Sequence, residues 1–245
     1  MNLKEQAINL YKIAFPEDSE AFIETFFDRF FEKDCRYVLK DGKLVSMLFL
    51  LDATLQNGME KVKGKYLYAA ATLPDFRGQG LMSKLIENAK IETVDKGDFL
   101  LTKPAEPSLF GYYERFGFKT VTKLDERVYK LQNKADPLPE ISLSAYLERK
   151  QKLLLNTPYL TLSDTVFLYD DMSLFGNENT LAAVDMETDV PQVKEFVSKH
   201  EKGKDSLLSA LGKNEAIFRE EGSEPFAMII SEKDLKSICF TLALD

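Results

Sequence analysis

Apolar residues recur at three- and four-residue spacing from the start of the chain: Leu3, Ala7, Leu10 and Tyr11, then Ala14. That period predicts an amphipathic helix. Pro16 interrupts it, and Ala21 to Phe31 resumes it with a strongly aromatic face. The period then shortens. Cys35 to Leu39, the turn Lys40-Asp41-Gly42-Lys43, and Leu44 to Leu55 predict a β-hairpin. Asp-Gly between apolar runs is the signal, since glycine tolerates the positive φ such a turn requires. A further strand is expected from about Tyr66 to Thr72.

Pro74-Asp75-Phe76-Arg77-Gly78-Gln79-Gly80 breaks the pattern, and a second helical period follows. Leu81, Leu85, Ile86 and Ala89 form its apolar face, with Lys84, Glu87, Asn88 and Lys90 toward water. Lys96-Gly97 is a suitable C-terminal stop. A strand is predicted at Phe99 to Thr102 and a short helix from Ser108 to Phe116, ending at Gly117. Phe118 to Leu131 reads as a strand pair turning near Asp125. Asp136-Pro137-Leu138-Pro139-Glu140 reads as a linker, which divides the chain into domains 1–135 and 136–245. Beyond it, helices are expected at Ser142 to Leu155 and Pro191 to His200. Strands are expected near Thr165 to Tyr169, Thr180 to Asp185, Glu215 to Arg219, Pro225 to Ser231 and Ser237 to Leu244.

Composition narrows the class. A chain of 245 residues with 44% hydrophobic and 29% charged residues is globular. The 32 Lys and Arg stand against 40 Asp and Glu, a net charge of −8. Nucleic acid is therefore not expected as a partner, because phosphate backbones select a positive footprint. Cys35 and Cys239 are far apart and in no CxxC pair, which argues against a disulfide scaffold and a thiolate metal site. The longest apolar run, Leu44 to Leu51, is far short of the roughly 20 residues of a membrane helix. The first residues, MNLKEQAINLYK, contain no apolar signal core. The expectation is a soluble cytoplasmic protein with no membrane partner. Whether it forms a homodimer stays open.

The segment Tyr66 to Phe118 carries the candidate chemistry. A strand ends, a glycine-containing loop follows, and a helix begins on that loop. The first amides of a helix have no intrahelical acceptor, and the helix dipole adds positive potential. A diphosphate fits there. Gly78 and Gly80 allow close approach of an anion, and Arg77 either adds a charged contact or anchors the turn. A P-loop requires GxxxxGK[ST], which is missing from the sequence. A dinucleotide fingerprint requires GxGxxG, whereas Gly78-Gln79-Gly80-Leu81-Met82 is followed by Ser83.

Arg77-Gly78-Gln79-Gly80-Leu81-Met82, led by Pro74-Asp75-Phe76, resembles the diphosphate motif Q/R-x-x-G-x-G/A of the GCN5-related N-acetyltransferase (GNAT) superfamily. Some thirty residues on, Tyr112-Tyr113-Glu114-Arg115-Phe116-Gly117-Phe118 resembles that family's YYE-x-x-GF segment. The likeness covers about residues 1 to 131. Met82 departs from the usual Gly or Ala, although its backbone N–H is retained. The resemblance implies an α+β fold of α/β sandwich type: a mixed, mostly antiparallel central sheet flanked by helices, with a smaller α+β C-terminal lobe. It also implies acetyl-CoA as co-substrate, lying where two parallel strands splay apart. Backbone groups of Ala70, Ala71 and Thr72 would hold the pantetheine arm and thioester. Gly78, Gln79, Gly80, Leu81, Met82 and Ser83, beside Arg77, would hold the diphosphate. Tyr113 would protonate the departing thiolate, with Tyr112 as the adjacent alternative.

The implied reaction is direct acetyl transfer to a primary amine, small-molecule or peptide, without a metal. The base is unassigned. Glu106 stands where many relatives carry Asn; it is either a base or ammonium ligand, or a solvated loop carboxylate, the second being favoured. His200 reads as a surface residue. The C-terminal half resembles the degenerate second domain of Eis-like tandem acetyltransferases, lacks the glycine loop, and is expected to shape the acceptor site. Asp245 and its α-carboxylate are then either in that site or at an exposed terminus, the latter being favoured. Most relatives open with a strand that this chain lacks, so a strand from the C-terminal half is expected on the vacated edge. The alternative function is a non-catalytic acyl-CoA-binding or sensing module.

Overall fold

The computed structural model describes residues 1–232, 238–241 and 244. Helix α1 (Leu3–Ala14) begins with a capping box: the Glu5 N–H donates to the Asn2 side chain, and the Asn2 N–H donates to the Glu5 carboxylate. Ser19 Oγ accepts the Phe22 N–H at the start of α2 (Glu20–Asp34). Strands β1 (Cys35–Lys40) and β2 (Lys43–Asn57) form the expected antiparallel hairpin. Asp41 and Gly42 occupy its turn at φ +50° and +76°, the left-handed pair that a two-residue hairpin loop demands. Strand β3 (Glu60–Thr72) begins six residues earlier than its apolar run suggests.

Helix α3 (Leu81–Glu92) buries Leu85, Ile86 and Ala89, while Leu81 is only partly covered. The helix ends at Thr93, and Gly97 (φ +85°) closes a separate 3-10 turn over Val94–Lys96. Strand β4 (Phe99–Thr102) and helix α4 (Phe110–Glu114), which follows a 3-10 turn, stand where expected. Strand β5 (Lys119–Lys130) corrects the expected strand pair. It does not turn at Asp125, whose carboxylate instead accepts the backbone N–H groups of Ser223 and Glu224.

Residues 136–140 are not a loose linker. Leu138 is buried, and its N–H donates to Ser206 O. Helix α5 (Leu143–Leu153), capped by Ser142, agrees with its period. Strand β6 (Tyr159–Leu162) precedes α6 (Thr165–Tyr169), a helix where β-branched Thr165 and Val166 suggest a strand. Asp164 decides it by accepting the Phe167 N–H, an N-cap that turns the chain. Strands β7 (Ser173–Gly176) and β8 (Thr180–Asp185) pair antiparallel. Strand β9 (Gln192–Ser198) replaces the helix expected over Pro191 to His200. Its apolar spacing suits either period, and pairing with β8 settles the matter. The helix lies further on, as α7 (Gly203–Leu211). Strand β10 (Glu215–Ile230) is continuous across the two strands predicted there. Cys239 makes a single bridge to Tyr159; Asp245 lies outside the described residues.

The chain forms two compact units. The first comprises Met1–Thr54, Val62–Lys119 and Met228–Leu235; the second comprises Leu55–Lys61, Thr120–Ala227 and Lys236–Asp245. The division after Lys119 puts residues 120–135 with the second unit, earlier than the boundary at 135/136.

In the first unit the sheet order is β1-β2-β3-β4, followed by the end of β10. Gly64–Leu67 pair parallel with Phe99–Thr102, and Met228–Ile230 pair antiparallel with Leu100–Thr102. The sheet is thus mixed. Helices α1 and α2 cover one face, with Phe26 and Phe27 on Phe49. Helices α3 and α4 cover the other, where Leu85, Ile86 and Tyr113 meet Leu48 and Leu67. The C-terminal half contributes the end of β10, beside β4, and strand β6, which pairs with β2. Among the described residues β1 ends the order, with β2 as its neighbour.

In the second unit β7, β8, β9 and the first part of β10 form the sheet, with β5 also on β10. Its core gathers Leu138, Phe175, Val193, Leu207 and Phe218. Among the described residues no helix is long and apolar enough to cross a membrane.

Candidate active site

Strands β3 and β4 part company inside the first unit. Leu67 opposite Thr102 is their last pair; β4 stops there, and β3 continues to Thr72. The next residue but one, Ala69, has φ +50°. A left-handed alanine costs about 1–2 kcal/mol. Its effect is visible in the packing: Leu67 and Ala70, three residues apart, both lie on the α3/α4 side cluster. Strict alternation would place them on opposite faces. The extra residue re-aims the strand, and Ala70, Ala71 and Thr72 run on past its last pair with β4. Ser46 Oγ on β2 lies 3.3 Å from Ala71 O and 2.8 Å from Thr72 Oγ1, which fixes this stretch from the β2 side.

The glycine loop follows directly. Gly78 and Gly80 both have φ +73°, and a Cβ at either would meet nothing within 4 Å. Conformation, not crowding within the folded chain, is what demands glycine there. Arg77 Nε donates to Thr72 O at 3.1 Å, so Arg77 ties the loop to the end of β3. Gln79 Nε2 lies 3.3 Å from Asp75 O and braces the same turn. Gly80 is the N-cap of α3, and no side chain caps it among the described residues. The first intrahelical bond is Lys84 N–H to Gly80 O, at 3.0 Å. The amides of Leu81, Met82 and Ser83 therefore open outward without a helical acceptor. No acidic residue occupies this first turn. The Met82 side chain turns onto the apolar cluster and leaves its amide at the helix mouth.

Tyr113 sits on α4 with its ring buried against Phe118, centroids 5.4 Å apart. It lies near Thr102, whose hydroxyl donates to Leu67 O at 3.0 Å where the strands separate. Burial pushes this phenol up to about 12, against the opposing effect of Thr102 and with a small contribution from Tyr112. It remains protonated at neutral pH. Tyr112 points elsewhere: its hydroxyl is 3.5 Å from Ser83 Oγ, beside the helix mouth, and Arg115 stacks over its ring at 4.6 Å. The two adjacent tyrosines thus occupy different ends of the cleft. Glu106 is exposed and accepts Ser108 Oγ; His200 is exposed in the second unit.

Sequence reasoning missed several residues. Thr102 gave no signal as the neighbour of Tyr113. Lys43, whose ammonium lies 5.9 Å from the Phe76 ring, and Arg115 bring cations near the loop in a chain of net charge −8. Arg115 stands inside the YYE-x-x-GF segment and was legible there; Lys43 comes from the hairpin turn and was not.

The fold of the first unit is of the GNAT class. A profile of the acetyltransferase (GNAT) domain matches residues 3–121, and this part of the chain belongs to that family. Solved structures with a similar fold include a GCN5-related N-acetyltransferase from Kribbella flavida, at 13% identity and TM-score 0.73, over 92% of this chain and 67% of that one. Another is a GCN5-related N-acetyltransferase from Anabaena variabilis ATCC 29413, at 15% identity and TM-score 0.73, over 92% and 69%. A probable N-acyltransferase from Enterococcus faecalis V583 aligns at 10% identity and TM-score 0.71, over 93% and 69%. No curated protein matches the sequence.

Proposed function

We propose that the first unit transfers an acetyl group from acetyl-CoA to a primary amine by direct attack, with Tyr113 as general acid. The observation that carries this reading is the meeting of three features at one cleft. The parallel strands part after Leu67 and Thr102, an uncapped helix mouth opens on one side, and a protonated phenol lies near the end of β4. The outward amides of Leu81, Met82 and Ser83 suit a diphosphate, and the helix dipole favours its charge. The stretch Ala70 to Thr72, past the last pair with β4, suits an extended pantetheine arm, held by strand backbone. A strand N–H near the thioester carbonyl would steady the oxyanion. As the C–S bond breaks, Tyr113 supplies the proton that the thiolate needs. Met82 and the unassigned base motivate the alternative, a binding module without chemistry; the packing of the Met82 side chain against the apolar cluster supports the catalytic reading instead.

Calorimetry with coenzyme A and thiol-release assays with acetyl-CoA test the reading. Tyr113→Phe is expected to keep CoA affinity and lose about 10²-fold or more in turnover, the usual worth of a positioned acid. Absence of CoA binding by folded protein rejects the whole account. Unchanged turnover in Tyr113→Phe rejects the acid alone.

A further inference from the structure

The α1/α2 face of the first unit contains an ordered hydrogen-bonded chain next to the point where β3 and β4 part. Asp18, in the connection between α1 and α2, accepts the Tyr11 hydroxyl at 2.6 Å. The Tyr11 and Tyr68 oxygens are 3.0 Å apart. Tyr11 has one hydroxyl proton and Asp18 takes it, so Tyr68 is the donor across the second contact. The direction is fixed: Tyr68 to Tyr11 to Asp18. Tyr11 is fully buried, its ring edge-on to Phe27 at 5.5 Å, whereas Tyr68 and Asp18 are only partly covered. Tyr68 follows Leu67, the last residue paired with β4, and precedes the left-handed Ala69. Tyr68 therefore stands where the strands part, and the path through Tyr11 reaches a carboxylate with access to water.

The opposite face of the sheet there is taken by the α3 mouth and Tyr113. An acceptor approaching the thioester from the other side of the sheet meets Tyr68. An ammonium has no lone pair and cannot attack, so its proton must go somewhere. Glu106 is exposed on a loop, with its carboxylate on Ser108 Oγ.

Resting on the acetyl-transfer reading above, we propose that Tyr68, Tyr11 and Asp18 form the path by which the acceptor loses its protons, and that the acceptor is a strongly basic primary amine entering from the α1/α2 face. The Tyr68 oxygen accepts a proton from the ammonium as its own passes to Tyr11, whose proton passes to Asp18. Asp18 releases it to water. The free amine attacks the thioester carbonyl; the C–N bond forms, the C–S bond breaks, and Tyr113 protonates the sulfur. The nitrogen of the tetrahedral intermediate, far more acidic than the starting ammonium, gives its proton directly to water, and Tyr113 regains its proton from water. Tyr68 is the group that touches substrate. Tyr11 and Asp18 act through it, and Tyr11 stays neutral because burial, then Tyr68 and Asp18, raise its phenol far above its ordinary value.

The experiment measures thiol release from acetyl-CoA near neutral pH with two probes: n-butylamine, which is almost wholly ammonium, and trifluoroethylamine, which is almost wholly neutral. Asp18→Asn keeps an acceptor for Tyr11 but loses the basicity; Tyr68→Phe cuts the chain. Both are expected to lower kcat for n-butylamine by about 10²-fold, to change kcat for trifluoroethylamine by less than about threefold, and to leave CoA affinity unaltered. Equal losses with the two amines, or no loss with either, overturn the path while leaving the acetyl-transfer reading intact. A wild-type protein that binds CoA but releases no thiol with either amine overturns that reading, and the path with it.

Discussion

At the residue scale, the second unit holds a group of charges with no counterpart in the proposed reaction. Lys150 and Glu195 are both buried and paired at 2.6 Å. Tyr146 and Tyr169 donate to the other Glu195 oxygen at 2.7 and 2.9 Å. Burial works against both charges, yet the mutual attraction and hydrogen bonds outweigh it, holding Lys150 above and Glu195 below their ordinary values. Such a pair contributes little net stability over an apolar substitute, but breaking it strands a charge. Lys150→Met is expected to cost about 3–5 kcal/mol in urea denaturation, and Lys150→Met with Glu195→Leu considerably less. The sequence could not show this group. Lys150 reads as one more cation on an amphipathic helix, and Glu195 falls in a segment whose spacing predicts a helix, when β9 in fact carries it inward. Tyr113 was legible because its neighbours Glu114 and Gly117 form a motif; Tyr11 and Tyr68 were not, since each belongs to an ordinary apolar period.

At the element scale, β3 decides the cleft. Its strand character is plain in the sequence, but the left-handed turn of the chain at Ala69 is not, because nothing in Tyr-Ala-Ala-Ala-Thr marks one alanine among three. The conformation is imposed by the paired residues before it and the loop after it. Ala69→Val, which places a β-branched side chain at φ +50°, is expected to lose about 2 kcal/mol or more and to weaken CoA binding. Ala69→Gly should stay within about 1 kcal/mol of the parent, since glycine loses the strain and gains backbone freedom in the unfolded chain. Equal stability of the two variants in urea denaturation, with unchanged CoA calorimetry, would show that the opening does not depend on this residue. The elements that sequence misassigned, α6 and β9, share a cause. Short apolar segments fit both periods, and a cap at Asp164 or a neighbouring strand chooses between them.

At the scale of the whole molecule, burial of phenols and a thiol sets the alkaline limit of stability. Cys35 is pushed up to about 12 by burial, against Arg36, and Tyr113 to about 12. Tyr11, Tyr146 and Tyr169 are also raised, in each case first by burial. The folded chain therefore holds these protons more tightly than the unfolded chain does. Stability from this source is complete below about pH 9 and declines as pH rises through the folded values. Urea denaturation under reducing conditions should show little change between pH 7 and 8.5, and by pH 11 a loss of about 4 kcal/mol from Cys35 and Tyr113 alone, with the other three phenols adding to it. A flat profile to pH 11 would contradict the burial of these groups.

The amino-acid order by itself determined the N-terminal helices, the hairpin, the glycine loop on its helix and the two motifs that mark the family. Each depends on interactions between residues close in the chain: helical and strand periods, an Asp-Gly turn, a helix start. Tertiary structure alone decided where β3 and β4 separate, which of two adjacent tyrosines meets Thr102, and that Tyr68, Tyr11 and Asp18 align. Those depend on contacts between residues distant in sequence, whose geometry follows from packing against a shared sheet and leaves no periodic trace.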